Sequence, residues 1–495
     1  MKLILHIVVI CAVVVQIRPS DILVIFPTTA QSHYRVVRPL IHSLLDRGHN
    51  ILSITNFPDS DFRQNLTHIN IAGIKPHSKF GTKKPTIISM VNRVVVNSDL
   101  YMNILSHPPI VDLLLSKRKF DLVITEMLTT TSLFAPIATI LNAPIIAVCP
   151  MFSFPWIHQI IGEPPNWSYM SNILMPISEN APLVQRTGSI VKNLIFYGIF
   201  NWLFNPKVQF SAEKHYGLKV SSLMDAMNNI SLVLVNSHHS IHKALPLAPG
   251  MVEIGGIHVL DAKSLPEDLK EFLDNSEFGV IIFSLGSIVS EATVGQDKLN
   301  NIFTAFSKLK QRVLMKFDVN SNITAPSNVK LVKWLPQRDL LAHPKVLVFI
   351  SHGGLMSVYE AIHCGKPVVG IPIFGDQPTN VLHLVEKKVG VLVEYEKLNS
   401  QNLYNAIQSA LSIEMSNNMK ELQQLYFDRP QTPLQTAIYW TEYIIKNHDK
   451  PTLLKTEQIY LNWYETYLFD VIAAIVIPLF LLLYITKFSL RKCYM

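Results

Sequence analysis

Short apolar runs rich in β-branched residues alternate along the chain with longer stretches of helical periodicity. In the first half these runs are Asp21 to Thr28, Asn50 to Thr55, Asp121 to Glu126, Pro144 to Pro150 and Ser231 to Asn236. Strands that alternate with helices are typical of a parallel sheet with helices on both faces. The pattern predicts a doubly wound α/β domain over residues 21–245.

The same alternation begins again after Pro249-Gly250. The runs of the second half are Gly279 to Gly286, Val313 to Phe317, Val329 to Trp334, Val346 to Ser351, Pro367 to Ile371 and Val389 to Glu394. They predict a second doubly wound sheet in a domain over residues 266–450, joined to the first by a linker over residues 246–265. Ligands of open parallel sheets bind beyond the carboxyl ends of the strands, so we expect a site in a cleft between the two domains.

The amino-terminal end carries an apolar segment of a different kind. Met1-Lys2 precedes the apolar run Leu3 to Val15, and Arg18-Pro19 ends it. This order predicts a secretory signal peptide over residues 1–20. The run is short for a membrane span, and an uncleaved anchor is the alternative.

Near the other end, Leu468 to Ile485 is apolar apart from Asp470. A helix needs about 20 such residues to cross the hydrocarbon core. We predict a juxtamembrane segment over residues 451–467, a transmembrane helix over residues 468–486 and a cytosolic tail over residues 487–495. The basic residues of that tail are Lys487, Arg491 and Lys492. Because basic residues favour the cytosolic side, we expect a single-pass type I protein whose body faces the lumen.

Composition narrows the class of protein further. Of 495 residues, 49% are hydrophobic and 16% charged, which excludes a disordered chain. The net charge of +7 is spread along the sequence, and with the lumenal topology this argues against a nucleic-acid partner.

Only Cys149 and Cys364 fall in the lumenal body, so we do not expect a disulfide framework. Sequons for N-glycosylation begin at Asn65, Asn166, Asn229 and Asn322.

The segment from Phe349 to Gln377 carries the most chemical information. A strand ending at Ser351 meets His352-Gly353-Gly354 and then a helical pattern. A glycine turn at a helix start exposes N–H groups that bind anions. His352, Gly354 and the hydroxyl of Ser357 are therefore candidate ligands of a diphosphate. Glu360 lies on the same helical face as Ser357, where its carboxylate can accept hydrogen bonds from ribose hydroxyls.

Three neighbouring segments complete a candidate nucleotide-sugar site. Asp376 and Gln377 offer polar groups to sugar hydroxyls, after the strand that follows the glycine turn. Trp334 offers a flat face to a base and Gln337 an amide to its edge. Another strand ends in the run Ser284-Leu-Gly-Ser287. Singly, each has a plainer explanation, since Trp334 could be a core residue, the glycines an ordinary turn and Glu360 a solvated carboxylate; their combination favours a site.

The whole segment from Phe349 to Gln377 resembles the signature of the animal UDP-glycosyltransferases, the group that includes glucuronosyl- and glucosyltransferases. The resemblance covers nearly the whole chain. The sequence FISHGG within it is more similar to invertebrate members of the family. It implies the GT-B fold, with two Rossmann-like domains, inversion at the anomeric carbon, and no metal or other cofactor beside the UDP-sugar. By the same resemblance, Trp334 would stack on uracil and Glu360 would hold the ribose. The expected phosphate ligands are Ser287, His352, Gly354 and Ser357, and the expected sugar ligands are Asp376 and Gln377.

Transfer of a glycosyl group to a hydroxyl requires a base close to the acceptor proton, and histidine has a suitable pKa. His33 follows the first predicted strand, and in the family that the chain resembles a histidine at this place deprotonates the acceptor. A loop histidine bonded to backbone is the alternative. Glu126 stands where the family has an aspartate, and we expect it to orient the imidazole. Asp121 is expected only to begin the strand.

Two other features remain. His238, His239 and His242 have a spacing that a metal can use, but no neighbouring carboxylate or cysteine completes a ligand set, and we favour no metal. Leu194 to Phe204 is apolar but too short to span a membrane, and we expect it to lie in the bilayer interface near the entrance for a lipophilic acceptor.

The sequence therefore predicts an enzyme that moves a hexose from a UDP-sugar to the hydroxyl of a small lipophilic acceptor, as in detoxification. Glucose is favoured as the donor sugar and glucuronate is second. The expected partners are the UDP-sugar, the acceptor and the bilayer of the endoplasmic reticulum, whose retention signals the basic tail resembles without the strict dilysine spacing. Assembly into a homo-oligomer is left open. A UDP-sugar epimerase and a catalytically silent UDP-sugar or lipid binder are the alternatives.

Overall fold

A computed structural model describes residues 18–493 of the chain with several gaps. The gaps are residues 60–61, 75–99, 117, 129–130, 153–154, 164–165, 171–176, 178–179, 200–201, 203–205, 207–208, 211–212, 214–222, 287–293 and 318–323. The predicted signal peptide up to residue 17, Ser287 and the sequon at Asn322 therefore lie outside the described residues.

The first sheet has seven parallel strands in the order β3-β2-β1-β4-β5-β6-β7. They are β1 Asp21–Phe26, β2 Asn50–Thr55, β3 Leu66–Asn70, β4 Leu122–Glu126, β5 Ile145–Cys149, β6 Ile230–Val235 and β7 Met251–Glu253. Along β4, Val123 packs in one apolar core while Leu122 and Ile124 pack in another on the opposite face. Helices cover both faces, which explains why the central strands are continuously apolar.

Several helices accompany this sheet, and seven α-helices have bounds that the described residues define. They are α1 Gln31–Asp46, α2 Pro108–Leu115, α3 Ala135–Ile140, α4 Pro155–Ile160, α5 Leu183–Ile199, α6 Leu223–Asn228 and α7 His239–His242. The first of them buries Val37, Leu40 and Leu44 against one face of the sheet, with an apolar residue about every third or fourth position. Its first turn lies at the carboxyl end of β1, which places His33 at the edge where ligands of such sheets bind.

The second sheet has six parallel strands in the order β10-β9-β8-β11-β12-β13. They are β8 Val280–Ser284, β9 Arg312–Lys316, β10 Val329–Val332, β11 Val346–Ser351, β12 Val368–Gly370 and β13 Gly390–Leu392. The helices that follow the first domain are α8 Glu267–Asp274, α9 Gln296–Phe306, α10 Gln337–Leu341, α11 Leu355–His363, α12 Gln377–Glu386, α13 Ser400–Ala410, α14 Ile413–Phe427 and α15 Pro433–Lys446. Two parallel α/β sheets with helices therefore make up the body of the protein.

Two strands were not among those that the sequence pattern indicated. β3 is only half-buried and contains His68 and Asn70, so it lacks a continuous apolar run. β7 has three residues, and it pairs in parallel with β6 inside the stretch for which we expected a linker. Short edge strands carry too few residues for a period to show.

The carboxyl-terminal part of the body returns to the first domain. α15 begins with a capping box between Thr432 and Gln435 and packs Ala437 and Ile444 into the core beside α1. Beyond it, the N–H of Thr456 donates to the carbonyl of Ile161 at 3.2 Å. The division into domains with a linker over residues 246–265 stays a prediction; β7 is part of the first sheet, and α15 packs beside α1.

The last described elements are the short helix α16 Trp463–Thr466 and the long helix α17 Phe469–Cys493. Within α17, the 23 residues Phe469–Arg491 are apolar and long enough to cross a membrane, and none of that segment is buried inside the protein. The helix continues past the predicted end at residue 486, because nothing in the sequence between Lys487 and Cys493 stops a helix. Length and composition thus give one candidate span among the described residues.

Candidate active site

At the carboxyl edge of the first sheet, a histidine and a glutamate are in direct contact. Nδ1 of His33, in the first turn of α1, lies 2.7 Å from Oε1 of Glu126, the last residue of β4. The side chain of Glu126 is completely buried, whereas that of His33 is 19% exposed. A carboxylate on Nδ1 keeps a hydrogen on that nitrogen and leaves Nε2 as the free proton acceptor. The structure thus brings together the two residues that the sequence singled out for catalysis.

Asp376, from the second domain, lies across the cleft within electrostatic reach of His33. Burial raises the pKa of the Asp376 carboxyl, while a hydrogen bond from Asn380 and the charge of His33 counteract that rise. Nδ2 of Asn380 donates to Oδ2 of Asp376 at 2.7 Å and to the carbonyl of Gly353 at 3.0 Å. Asn380 thereby ties the predicted sugar ligand to the glycine turn.

The glycine turn before α11 is shaped around the ring of His352. A β-carbon added at Gly354 would lie 2.6 Å from Nε2 of His352, and one at Gly286 would lie 2.9 Å from the same atom. Gly353 has φ 79°, a conformation that residues other than glycine rarely adopt. Burial, and after it the charge of Lys316, lowers the pKa of His352 to about 4. The imidazole is therefore neutral near pH 7 and can donate one hydrogen bond to a bound anion.

One residue, Gln337, is hydrogen-bonded to two others that the sequence assigned to different parts of the nucleotide. Nε2 of Gln337 donates to Oγ of Ser357 at 3.0 Å and to Oε2 of Glu360 at 2.6 Å. Burial raises the pKa of Glu360, and the bond from Gln337 opposes that change. The amide nitrogen of Gln337 is thus engaged within the protein, and its Oε1 is the atom left to face a base.

Trp334 is 59% exposed, which excludes the alternative of a core residue. It lies just beyond β10, and Nζ of Lys316 sits 5.2 Å from the centre of its ring. The same ammonium group donates to the carbonyl of Gly286 at 3.1 Å. Lys316 was not predicted as a site residue. Its role could have been inferred from its position, because it is the last residue of β9 and so lies at the same edge of the sheet as the glycine turn.

Arg35 is a second cation that the sequence reasoning did not identify. It is exposed on α1, two residues after His33, yet its charge acts on groups of the second domain. After burial, which is the larger cause, Arg35 lowers the pKa of Lys316. It also counteracts part of the rise that burial gives the pKa of Glu360. The charge of Arg35, on the first domain, therefore acts on groups of the candidate donor site.

Gln377 is buried, and its Oε1 accepts hydrogen bonds from the N–H groups of Ile373 at 2.8 Å and Phe374 at 3.0 Å. This side chain fixes the loop before α12, and its Nε2 remains the group that can reach a sugar. The predicted ligand Ser287 lies outside the described residues. The histidines considered for a metal have other contacts: the ring of His238 accepts from the N–H of Ser240 at the start of α7, and His242 stacks on Phe152.

Comparison with solved structures places this architecture in a known class. The chain is similar to Medicago truncatula UGT71G1, solved with UDP-glucose, at a TM-score of 0.60 and 14% identity, covering 86% of this chain and 98% of the other. The calicheamicin glycosyltransferase CalG4 aligns at a TM-score of 0.58 and 16% identity, with 86% and 98% coverage. These likenesses establish the fold: two α/β domains in the GT-B arrangement of glycosyltransferases.

Sequence comparison gives the family. Residues 54–495 match the family described as "UDP-glucoronosyl and UDP-glucosyl transferase". The chain is 35% identical to UDP-glucosyltransferase 2 of Dactylopius coccus over 478 residues, 95% of this chain and 92% of that protein. It is 28% identical to UDP-glucuronosyltransferase 2B17 of Mus musculus, over 93% of this chain and 92% of the mouse protein. The chain belongs to this family and is a UDP-glycosyltransferase, which confirms the family and the fold class predicted from the sequence.

Proposed function

We propose that the protein transfers glucose from UDP-glucose to the hydroxyl of a small lipophilic acceptor, with inversion at the anomeric carbon. This proposal rests mainly on the contact of 2.7 Å between His33 and Glu126. Asp376, beside the glycine turn, is close enough for the charge of His33 to affect its pKa. The relative named as a UDP-glucosyltransferase supports glucose, and the relative named as a UDP-glucuronosyltransferase keeps glucuronate as the second choice.

In the proposed reaction, Nε2 of His33 takes the proton of the acceptor hydroxyl. The acceptor oxygen attacks the anomeric carbon on the face opposite the nucleotide, and the bond from that carbon to the UDP oxygen breaks. UDP leaves with the electron pair, and the imidazolium of His33 is stabilised by Glu126 through the hydrogen bond at Nδ1. Attack opposite the leaving group inverts the anomeric configuration.

The nucleotide would lie along the second domain. The N–H groups at the start of α11, His352 and Ser357 are proposed to hold the diphosphate, with Lys316 beside them. Ser287, outside the described residues, stays a further proposed ligand by the family resemblance. The positive end of the α11 dipole favours the charge that builds on departing UDP. Trp334 is proposed to stack on uracil and Glu360 to accept from the ribose. The sugar would be held by Asp376 and Gln377.

The surface of α5 supports a second contact with the bilayer beside α17. This helix buries Ser189 and Asn193 and packs Phe196 and Ile199 against the core, yet it also exposes several large apolar side chains. The exposed large apolar residues are Leu183, Val184, Val191, Leu194 and Ile195. We propose that this face lies in the interface of the endoplasmic reticulum membrane, with the body in the lumen. A lipophilic acceptor dissolved in the membrane would then be close to the site.

The deciding experiment incubates full-length protein in microsomes with UDP-glucose or UDP-glucuronate and a mixture of phenols. Release of UDP that depends on the acceptor, faster with UDP-glucose, supports the proposal. Isomerisation of the sugar would indicate an epimerase, and binding of UDP without either reaction would indicate a silent binder. A faster reaction with UDP-glucuronate would overturn the assignment of the donor sugar alone.

A further inference from the structure

α12 joins the sugar end of the site to a contact with the first domain. Asp376 immediately precedes its amino-terminal end and Gln377 begins it. At its other end, the carboxylate of Glu386 faces Lys243, the residue that follows α7 in the first domain. Nζ of Lys243 lies 3.2 Å from Oε2 of Glu386. A single helix of ten residues therefore connects the proposed sugar ligands with an ion pair between the domains.

The ion pair is shielded from solvent. The side chain of Lys243 is 20% exposed and that of Glu386 is 14% exposed. Nδ1 of His383, one turn earlier in α12, lies 3.6 Å from the same carboxylate oxygen. The nearby ring of His383, together with Lys243, lowers the pKa of Glu386 although burial opposes the change. Partial burial strengthens attraction between charges compared with a fully exposed pair.

A packed aromatic contact supports the ion pair. The ring of His242 stacks on that of Phe152 at 4.8 Å, and the ring of His383 meets the ring of His242 edge-on at 5.5 Å. His242 and His383 are 2% and 1% exposed. Burial, followed by the charges of His383 and His238, lowers the pKa of His242 well below its usual value. This contact between α7 and α12 is therefore buried and closely packed.

We propose that Lys243 and Glu386 are positioning residues for glycosyl transfer. By holding the carboxyl-terminal end of α12 against the first domain, they set the distance between the sugar at Asp376 and the base at His33. Rates of transfer are sensitive to misplacement of about 1 Å, which can cost on the order of 100-fold. The ion pair spans the two domains, whereas the proposed nucleotide ligands belong to the second and only the more distant charge of Arg35 comes from the first. The pair should therefore govern kcat and leave donor binding largely unchanged. This inference rests on the proposed function.

The test measures kcat and the KM for UDP-sugar and acceptor in Glu386→Gln, Lys243→Met, Lys243→Arg and the exchange of both charges, Lys243→Glu with Glu386→Lys. Turnover is normalised to the number of sites that bind UDP, so that unfolded protein does not count. We expect kcat to fall about 10-fold in Glu386→Gln and Lys243→Met, with the donor KM within about twofold. Lys243→Arg and the exchanged pair should recover most of the loss.

Glu394→Gln is the matched control, since the pair between Lys397 and Glu394 is exposed and lies wholly within the second domain. It should leave kcat unchanged. Wild-type kcat in both single variants, a rise in donor KM equal to the fall in kcat, or an exchanged pair no better than the single variants would overturn the inference. Absence of turnover in the wild-type protein would instead refute the proposed function, so the two failures are distinguishable.

Discussion

Glu126 reaches His33 with its Oε1 atom 2.7 Å from Nδ1, although its side chain is one methylene longer than the aspartate that the family resemblance led us to expect. The contact is normal for a hydrogen bond to a charged acceptor. The end of β4 and the first turn of α1 therefore lie far enough apart to accommodate a glutamate. The geometry of an imidazole oriented by a carboxylate is preserved in this chain.

The first prediction concerns Glu126. Glu126→Gln should lower kcat by about 100-fold or more, because an amide can favour the wrong tautomer of His33 and cannot stabilise its imidazolium. The same variant should be at least as stable as the wild type, since Oε2 of Glu126 is buried without a hydrogen-bond partner among the described residues. Steady-state rates and thermal melting test both parts. An active Glu126→Gln enzyme would show that the carboxylate does not assist the base.

The second prediction concerns Arg35. Because its charge reaches the donor site from α1, Arg35→Ala should raise the donor KM by about 3- to 10-fold, with a smaller effect of salt than in the wild type. Arg63→Ala is the matched control, since Arg63 pairs with Asp46 on an exposed surface. Equal donor KM values in both variants would place Arg35 outside the donor site.

The third prediction is loss of stability in acid. Burial lowers the pKa of His258, His352 and His363 to about 4 and that of His238 to about 3. Between these values and the ordinary value near 6.5, the unfolded chain binds more protons than the folded one, so stability is lost as pH falls from about 6.5 towards 4. Burial raises the pKa of Glu360 and Asp376 and opposes this trend in part. Melting temperature should fall over this range, and less so in His258→Gln. A melting temperature that is constant or rises in acid would contradict the prediction.

The fourth prediction tests the lumenal orientation. Asn229 is exposed, and Oδ1 of Asn166 accepts from the hydroxyl of Ser168 in an exposed turn. In contrast, Nδ2 of Asn65 donates to the carbonyls of Leu45 and His49 at 3.0 and 2.8 Å, so a glycan there would break two bonds. Protein from microsomes should lose mass on glycosidase treatment, and Asn166→Gln and Asn229→Gln should each remove one glycan while Asn65→Gln removes none. A chain without glycans at either site would argue against a lumenal body.

The sequence predicted the two sheets well because buried parallel strands are continuous apolar runs. Val346 to Ser351 was predicted with the bounds that β11 has, and Asn50 to Thr55 with those of β2. β3 and β7 were not predicted, because a half-buried strand and a strand of three residues show no such run. The return of α15 to the first domain was not predicted either, since an amphipathic pattern does not say which surface a helix covers.

Within the site, motifs indicated residues that act through local geometry, such as His352 and Gly354 at a helix start. They did not indicate Lys316 or Arg35, because an isolated cation in a sequence has no distinguishing pattern and its role depends on the approach of two domains. The bond from Gln337 to Ser357 and Glu360 was likewise invisible, since it joins residues about 20 positions apart. Long-range contacts of this kind follow from the fold rather than from local sequence.

The central claim is that His33 removes the acceptor proton while the second domain holds the nucleotide. The most direct test compares His33→Ala with the wild type for acceptor-dependent release of UDP and, by calorimetry, for the Kd of UDP. We predict turnover reduced by about 1,000-fold or more and a Kd for UDP within about threefold of the wild-type value. Turnover close to that of the wild type, or loss of UDP binding together with turnover, would contradict the account.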